Sequence, residues 1–231
     1  MQLIVNEFLS LDGVMQGPGG AEEDPSGGFD RGGWIVPFAA QPKWGEVVSG
    51  WFSRAEAILL GRSTYDMMHP YWSQVDDPEN SVGIALNSLP KYVVSSTLAG
   101  PSWRGTQVLS GDPLQEIRRL KEIPGGELQV HGSWRLARTL HEAGLVDEYR
   151  LLVFPVVVGT GKRLFDTGGP ATGLTVRECS TLDEGTVSYV LTPTEYRRGG
   201  LAVVDGREVL LDPSPDSTAG HEGHRGEPVP G

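Results

Sequence analysis

Short apolar runs separated by amphipathic stretches organise most of this chain. Residues 2–9, Leu3-Ile4-Val5-Asn6-Glu7-Phe8-Leu9, read as a strand that runs directly into Ser10-Leu11-Asp12-Gly13. Trp44 to Arg54 places Val47, Val48, Trp51 and Phe52 on one stripe and predicts a helix. Ala57-Ile58-Leu59-Leu60 is a short buried strand, and Gly61-Arg62-Ser63-Thr64-Tyr65 opens a helix to about His69. A helix over Glu79–Leu89 and strands over Lys91–Ser95 and Thr106–Leu109 follow. Asp112 then caps a helix through Lys121. The sharpest pattern begins at Leu128–Val130. It continues through a Gly132-Ser133 turn and a helix carrying Leu136, Leu140 and Ala143, which Gly144 stops. A strand from Tyr149 to Val158 comes next, and two more, Leu174–Glu178 and Thr186–Thr192, have no helix between them.

Strands alternating with helices predict an α/β fold with a mostly parallel central sheet and helices on both faces. The last two strands predict an antiparallel C-terminal edge. One domain therefore spans 1–194. A hairpin over 195–211 is appended to it, turning at Asp205-Gly206, where both positions need φ > 0. Residues 212–231, almost without apolar side chains, read as a disordered tail. The glycine-rich stretch 16–33 reads as too flexible to pack, either a lid or a disordered insertion.

Composition narrows the function. The apolar fraction is 38%, diluted by 32 Gly and 17 Pro, and the remainder is long enough to bury a core. A formal charge of −11 excludes the broad basic surface that nucleic acids or anionic membranes need, but leaves room for a local phosphate pocket. The single Cys179 excludes an intramolecular disulfide, fits a reducing cytoplasm, and lies in a strand pattern that predicts a buried thiol. No signal peptide or membrane-length apolar run is apparent. The histidines lack metal-ligand spacing, so no metal is expected. His131 ends a buried strand and reads as a core histidine. Gly159-Thr160-Gly161-Lys162 is not a Walker loop, because Arg163 takes the Ser/Thr place.

Glycine turns at helix starts present free N–H groups and a positive dipole end, which suits phosphate, although an ordinary βα turn has the same signature. Several such motifs occur in order: Ser10-Leu11-Asp12-Gly13, Gly61-Arg62-Ser63-Thr64-Tyr65, Val93-Val94-Ser95-Ser96-Thr97, Val130-His131-Gly132-Ser133, Gly144-Leu145-Val146-Asp147-Glu148 and Pro155 through Phe165. In this combination residues 2–192 resemble the reductase domain of bacterial bifunctional deaminase-reductases of riboflavin biosynthesis. The zinc motif of the deaminase half is absent.

That resemblance implies a dihydrofolate reductase-like fold, a homodimer, NADPH as cofactor and a small heterocyclic or carbonyl/imine substrate. The family's reference substrate is an aminopyrimidine ribosyl phosphate. It also implies cofactor roles for Gly61, Arg62, Ser63 and Thr64, for Ser95, Ser96 and Thr97 at the adenosine 2′-phosphate, and for Gly132 and Ser133 at the pyrophosphate. The plain alternatives are a solvated Arg62, a capping Thr64 and a polar turn over 95–97. Trp134 stands where the family often has glycine, so its indole either stacks on the cofactor or crowds it. Asp12, at the mouth of the first strand, is the candidate acid or substrate anchor; otherwise it forms a turn with Gly13. Folate reductases carry Trp-x-x-Pro-x-acid, and here Trp34-Ile35-Val36-Pro37-Phe38 is followed by Ala39. The acidic lid residues Glu22, Glu23, Asp24 and Asp30 disfavour a phosphate-bearing substrate. A non-catalytic nucleotide-binding protein and a folate reductase with an unusual acid are the alternatives.

Overall fold

The structure is a computed structural model that describes residues 1–166 and 168–215. Its strands are β1 (Gln2–Ser10), β2 (Ala55–Gly61), β3 (Lys91–Val94), β4 (Thr106–Leu109), β5 (Glu127–His131), β6 (Glu148–Phe154), β7 (Gly173–Thr181), β8 (Val187–Thr194), β9 (Arg197–Val204) and β10 (Arg207–Pro215). Its helices are α1 (Pro42–Phe52), α2 (Arg62–Trp72), α3 (Ser81–Ser88), α4 (Pro113–Glu122) and α5 (Trp134–Glu142). Eight strands form one sheet in the order β4-β3-β2-β5-β1-β6-β8-β7. All pairs from β4 to β6 are parallel, and β8 and β7 add the antiparallel edge.

Strand alternation divides the core. Leu3, Val5 and Leu9 pack with Ile117 and Leu120 of α4 and Leu136, Ala137 and Leu140 of α5. On the opposite face Ile58, Leu60 and Phe154 pack with Val48, Trp51 and Phe52 of α1, Tyr65 of α2 and Leu86 of α3. Period-2 side-chain placement produces this split from a single apolar run. The α5–β6 corner is tied by Asp147, whose Oδ2 accepts from Leu3 N (2.7 Å) and Lys121 Nζ (2.7 Å).

Several expectations need correction. The strand predicted over Tyr149–Val158 ends at Phe154. Pro155 has no N–H to give, and the Val158 and Gly159 N–H groups bond Asp12 instead of a neighbouring strand. The 16–33 stretch is packed: Gln16 and Phe29 are buried, as are Trp34 and Ile35 directly after it. Trp34 Nε1 donates to Gln16 O at 2.9 Å, and Gln16 Nε2 donates to Asp24 O (3.0 Å) and Ser26 O (2.9 Å). Positive φ at Gly17, Gly27, Gly28 and Gly33 lets this strap curl over those side chains. Cys179 is exposed on the edge strand β7 rather than buried. The second hairpin turns at Asp205 (φ 52°) and Gly206 (φ 76°) and pairs through Pro215, past the expected boundary at 211. The predicted disordered tail otherwise lies outside the described residues.

Candidate active site

Parallel strands place β2, β3, β5 and β1 side by side with their carboxyl ends on one edge, and ligand crevices form at such edges. Register brings the β2 and β5 turns together. Gly61 N donates to Ser133 Oγ at 2.8 Å. A Cβ at Gly132 would lie 3.4 Å from Thr64 Cγ2, so the α2 and α5 N-termini abut. Gly132 (φ 64°) and Ser133 (φ 67°, ψ 57°) both have positive φ, which turns the chain sharply from β5 into α5.

These two helices differ from α3 and α4 in capping and share with α1 the lack of a side-chain cap. Asn80 Oδ1 accepts from Gly83 N to cap α3, and Asp112 Oδ1 accepts from Leu114 N and Gln115 N to cap α4. Neither α2 nor α5 has a side-chain cap or an acidic residue in its first turn. Their leading N–H groups and dipole ends are left for a ligand.

The structure brings Gly61, Thr64, Gly132 and Ser133 into this junction. Arg62 is different: its Nε donates to Asp66 Oδ2 at 2.6 Å along its own helix, so the guanidinium is already paired. Ser95 is buried and its Oγ accepts from Thr97 N (3.2 Å) and Leu98 N (3.0 Å), shaping the turn after β3. Ser63, Ser96 and Thr97 are exposed. Val94, Ser95, Ser96, Leu109, Ser110, Gly111 and Pro113 line an open cleft of about 430 Å³ at the ends of β3 and β4. Ser110 and Gly111 were not expected there; the only cue was their place between a strand and the Asp112 cap. Trp134 donates its indole Nε1 to Arg163 O at 2.9 Å.

Asp12 is clamped at the mouth of β1. Its Oδ1 accepts from Ser10 Oγ (2.7 Å) and Val158 N (3.0 Å), and its Oδ2 from Gly159 N (2.8 Å) and Arg163 (3.2 Å). Partial desolvation works against ionisation, but the Ser10, Val158 and Gly159 hydrogen bonds outweigh it and hold the carboxyl well below the usual carboxylate range. The carboxylate clamps the first strand's exit to the 155–163 loop, which Lys162 also ties to the strap through Asp24 and Ser26, both at 2.6 Å. That pairing offsets part of the acidity the lid shows in sequence.

Two buried groups went unnoticed in the sequence. Glu7 is buried on the β1 face shared with Val5 and Leu9, its Oε1 has no hydrogen-bond partner, and desolvation raises its pKa well above the usual value. Asn6 is buried on the other face, with its Nδ2 3.4 Å from His131 Nε2. His131 stacks on Phe52 at 4.2 Å, and burial together with the Arg150 charge pushes its pKa down to about 3, as fits a neutral core ring. Among the described residues no cluster of His, Cys, Asp and Glu is placed to hold a metal, and no helix is long and apolar enough to cross a membrane.

A mostly parallel sheet with an antiparallel edge and flanking helices defines an α/β domain of the dihydrofolate reductase-like class. The RibD C-terminal domain matches residues 1–188, and the chain belongs to that family. It is 28% identical over 195 residues to the uncharacterized protein YyaP of Bacillus subtilis, covering 82% of this chain and 93% of that one. Among solved structures, a putative riboflavin biosynthesis protein from Shewanella sp. PV-4 superposes with a TM-score of 0.60 at 20% identity, covering 84% of this chain and 99% of that one. Dihydrofolate reductase from Enterococcus faecalis, complexed with NADP(H), superposes with a TM-score of 0.52 at 12% identity, covering 84% and 97%. Family and fold are those of a riboflavin-pathway type of reductase.

Proposed function

We propose that this protein is an NADPH-dependent reductase of a small heterocyclic or carbonyl/imine compound. The observation that carries the reading is the junction of two uncapped helix N-termini through Gly61 N and Ser133 Oγ. The backbone N–H groups at the Gly132-Ser133 turn and in the first turn of α2 would hold the pyrophosphate. The cleft at Ser95, Ser96 and Ser110 would take the adenosine 2′-phosphate on hydroxyl and backbone donors; no Lys or Arg lines it. NADPH supplies a hydride when bound, and the strap over 16–38 excludes water from that end of the sheet. Asp12 fixes the strap's exit from β1 and leaves proton delivery to another group. The same reading carries a cytoplasmic homodimer. Because Asp12 is locked as an anion, a non-catalytic nucleotide binder is the second reading. Loss of reduced-nicotinamide absorbance with any of a panel of pyrimidines, pterins and quinones excludes it.

Fluorescence titration with NADPH and NADH tests the cofactor. NADPH is expected to bind about tenfold more tightly, equivalent to about 1.4 kcal/mol. Ser96→Glu should erase that preference by charge repulsion. Equal affinities would remove the 2′-phosphate assignment, and no binding of either would remove the reductase reading.

A further inference from the structure

Strands β9 and β10 form a two-stranded sheet of their own, beyond the residues that match the family. A lone hairpin is marginally stable in water and needs packing against one of its faces. Register sets Leu201 opposite Leu210 and Val203 opposite Glu208 on one face of this hairpin. Leu201, Val203 and Leu210 are 61, 76 and 84% exposed. Together they form an apolar patch of roughly a few hundred Å², the scale that marks an interaction site rather than scattered surface residues. Arg197, Arg198 and Arg207 match Glu195, Asp205 and Glu208 in number, so residues 195–211 add no net charge to a chain of formal charge −11. This arm therefore approaches an acidic surface without the repulsion that the rest of the chain meets.

The same chain carries a hollow of matching kind. A cavity of about 180 Å³ opens between the last turns of α5 and the start of β7, where buried Leu164 and exposed Phe165 and Leu174 line it. Its walls are fixed. His141 Nδ1 lies 2.8 Å from the Tyr149 hydroxyl, and Phe165 meets the His141 and Tyr149 rings edge-on, both at 5.4 Å. An apolar cavity of roughly 150 Å³ holds a benzene molecule, so this one has room for a leucine side chain. Helix α5 starts at the nucleotide junction, and the cavity lies at its other end, apart from the candidate active site.

Arm and cavity share one end of the sheet. Gly173 pairs with Thr194, and Leu174, which lines the cavity, pairs with Pro193. Strand β9 begins just beyond, at Arg197. The exposure of Leu201 and Leu210 shows that the arm does not fill the cavity of its own chain. A two-fold axis beside this end of β7 and β8 would carry each arm to the other copy's cavity, in an isologous contact that closes on itself. Two arms and the surfaces they cover amount to on the order of 1,600 Å², the size of a standard stable interface.

Resting on the homodimer of the reading above, we propose that the β9–β10 hairpin is a dimerisation arm. It docks on a second copy of this chain and seats Leu210 in the cavity walled by Phe165 and Leu174 of the partner subunit. The contact forms away from the nucleotide junction and leaves both crevices open.

Sedimentation velocity on the full chain over a wide concentration range tests the arm. Leu210→Asp and Leu174→Asp should each weaken dimerisation about tenfold or more, because each forces a carboxylate into an apolar contact. Ile84→Asp, at an exposed site on α3, should leave it unchanged. Leu210 and Leu174 are exposed in the single chain, so melting of dilute Leu210→Asp and Leu174→Asp should match the parent. Leu210→Cys and Thr172→Cys proteins, each also carrying Cys179→Ser, are then mixed and oxidised. The mixed disulfide should outnumber the self-linked species; equal amounts overturn the seating of Leu210. An internal disulfide in a monomer carrying both cysteines would place the arm in its own cavity and overturn the exchange. A protein that stays monomeric at every concentration overturns arm and homodimer together. A dimer untouched by Leu210→Asp and Leu174→Asp overturns the arm and keeps the homodimer. NADPH titration is read on the same samples. A dimer that Leu210→Asp splits, in a protein that never binds NADPH, keeps the arm and discards the reductase.

Discussion

On the side of α4 and α5 the sheet meets mostly aliphatic side chains, such as Leu3, Val5, Leu128, Val130 and Leu140. On the side of α1, α2 and α3 it meets rings: Trp34, Trp51, Phe52, Tyr65, Trp103 and Phe154. The aliphatic layer interdigitates closely and contributes its free energy through area removed from water. The aromatic layer includes rings that contact only at edges or tilted angles, and the orphaned polar atoms of Asn6, Gln41 and Trp44 sit within it. One face is therefore an aliphatic layer, and the other leaves part of its polar groups unpaired.

The largest expected effect tests the first half of that division. Leu140 is fully buried on the aliphatic face. Leu140→Ala should cost about 2–5 kcal/mol in urea denaturation, by lost burial and by the cavity left behind. Cofactor affinity of the folded protein should stay within about twofold. A variant with full stability and lost cofactor binding would break the contrast between the faces.

Glu7 is the exception on the aliphatic side, and titration should expose it. Its ordinary pKa is 4.5, and desolvation raises the folded value well above that. Below pH 4.5 both folded and unfolded chains hold the proton. As pH rises past 4.5 the unfolded chain ionises while the folded one stays neutral, so this group costs stability progressively until its folded pKa is reached. Glu7→Gln removes that loss. Its stability relative to the parent should therefore grow between pH 4.5 and 7, by at most about 1.4 kcal/mol per pH unit. Denaturation midpoints at a series of pH values check this, and a pH-independent difference would mean that Glu7 is solvated.

How far the sequence foretells these regions differs by physical cause. The β2–α2 unit is legible because Ala57–Leu60, buried on both faces, gives an unbroken apolar run, and the β5–α5 and β4–α4 units because Gly132, Gly144 and Asp112 mark the helix ends. The strap is not legible, because its order comes from partners far along the chain: Asp24 with Lys162, Trp34 with Gln16, Asp12 with Gly159. Asp12 is visible as a polar residue at a strand mouth, but its charge state depends on N–H groups from residues 158 and 159. Orphans such as Gln41 and Trp44 leave no trace in a linear pattern, since the signal is a partner that is missing.

Caps offer the finest comparison, with the smallest effect. Asp112 satisfies two N–H groups of α4, whereas the equivalent groups of α5 have no side-chain cap at Ser133. Asp112→Ala should cost about 1 kcal/mol, the usual value of an N-cap. Gly111 and Pro113 on either side of it line the cleft given to the 2′-phosphate, so removing the carboxylate should strengthen NADPH binding relative to NADH by relief of charge repulsion. Fluorescence titration checks this, and an unchanged ratio of the two affinities would mean that the cofactor does not reach the start of α4 and would withdraw the 2′-phosphate from the cleft at Ser110.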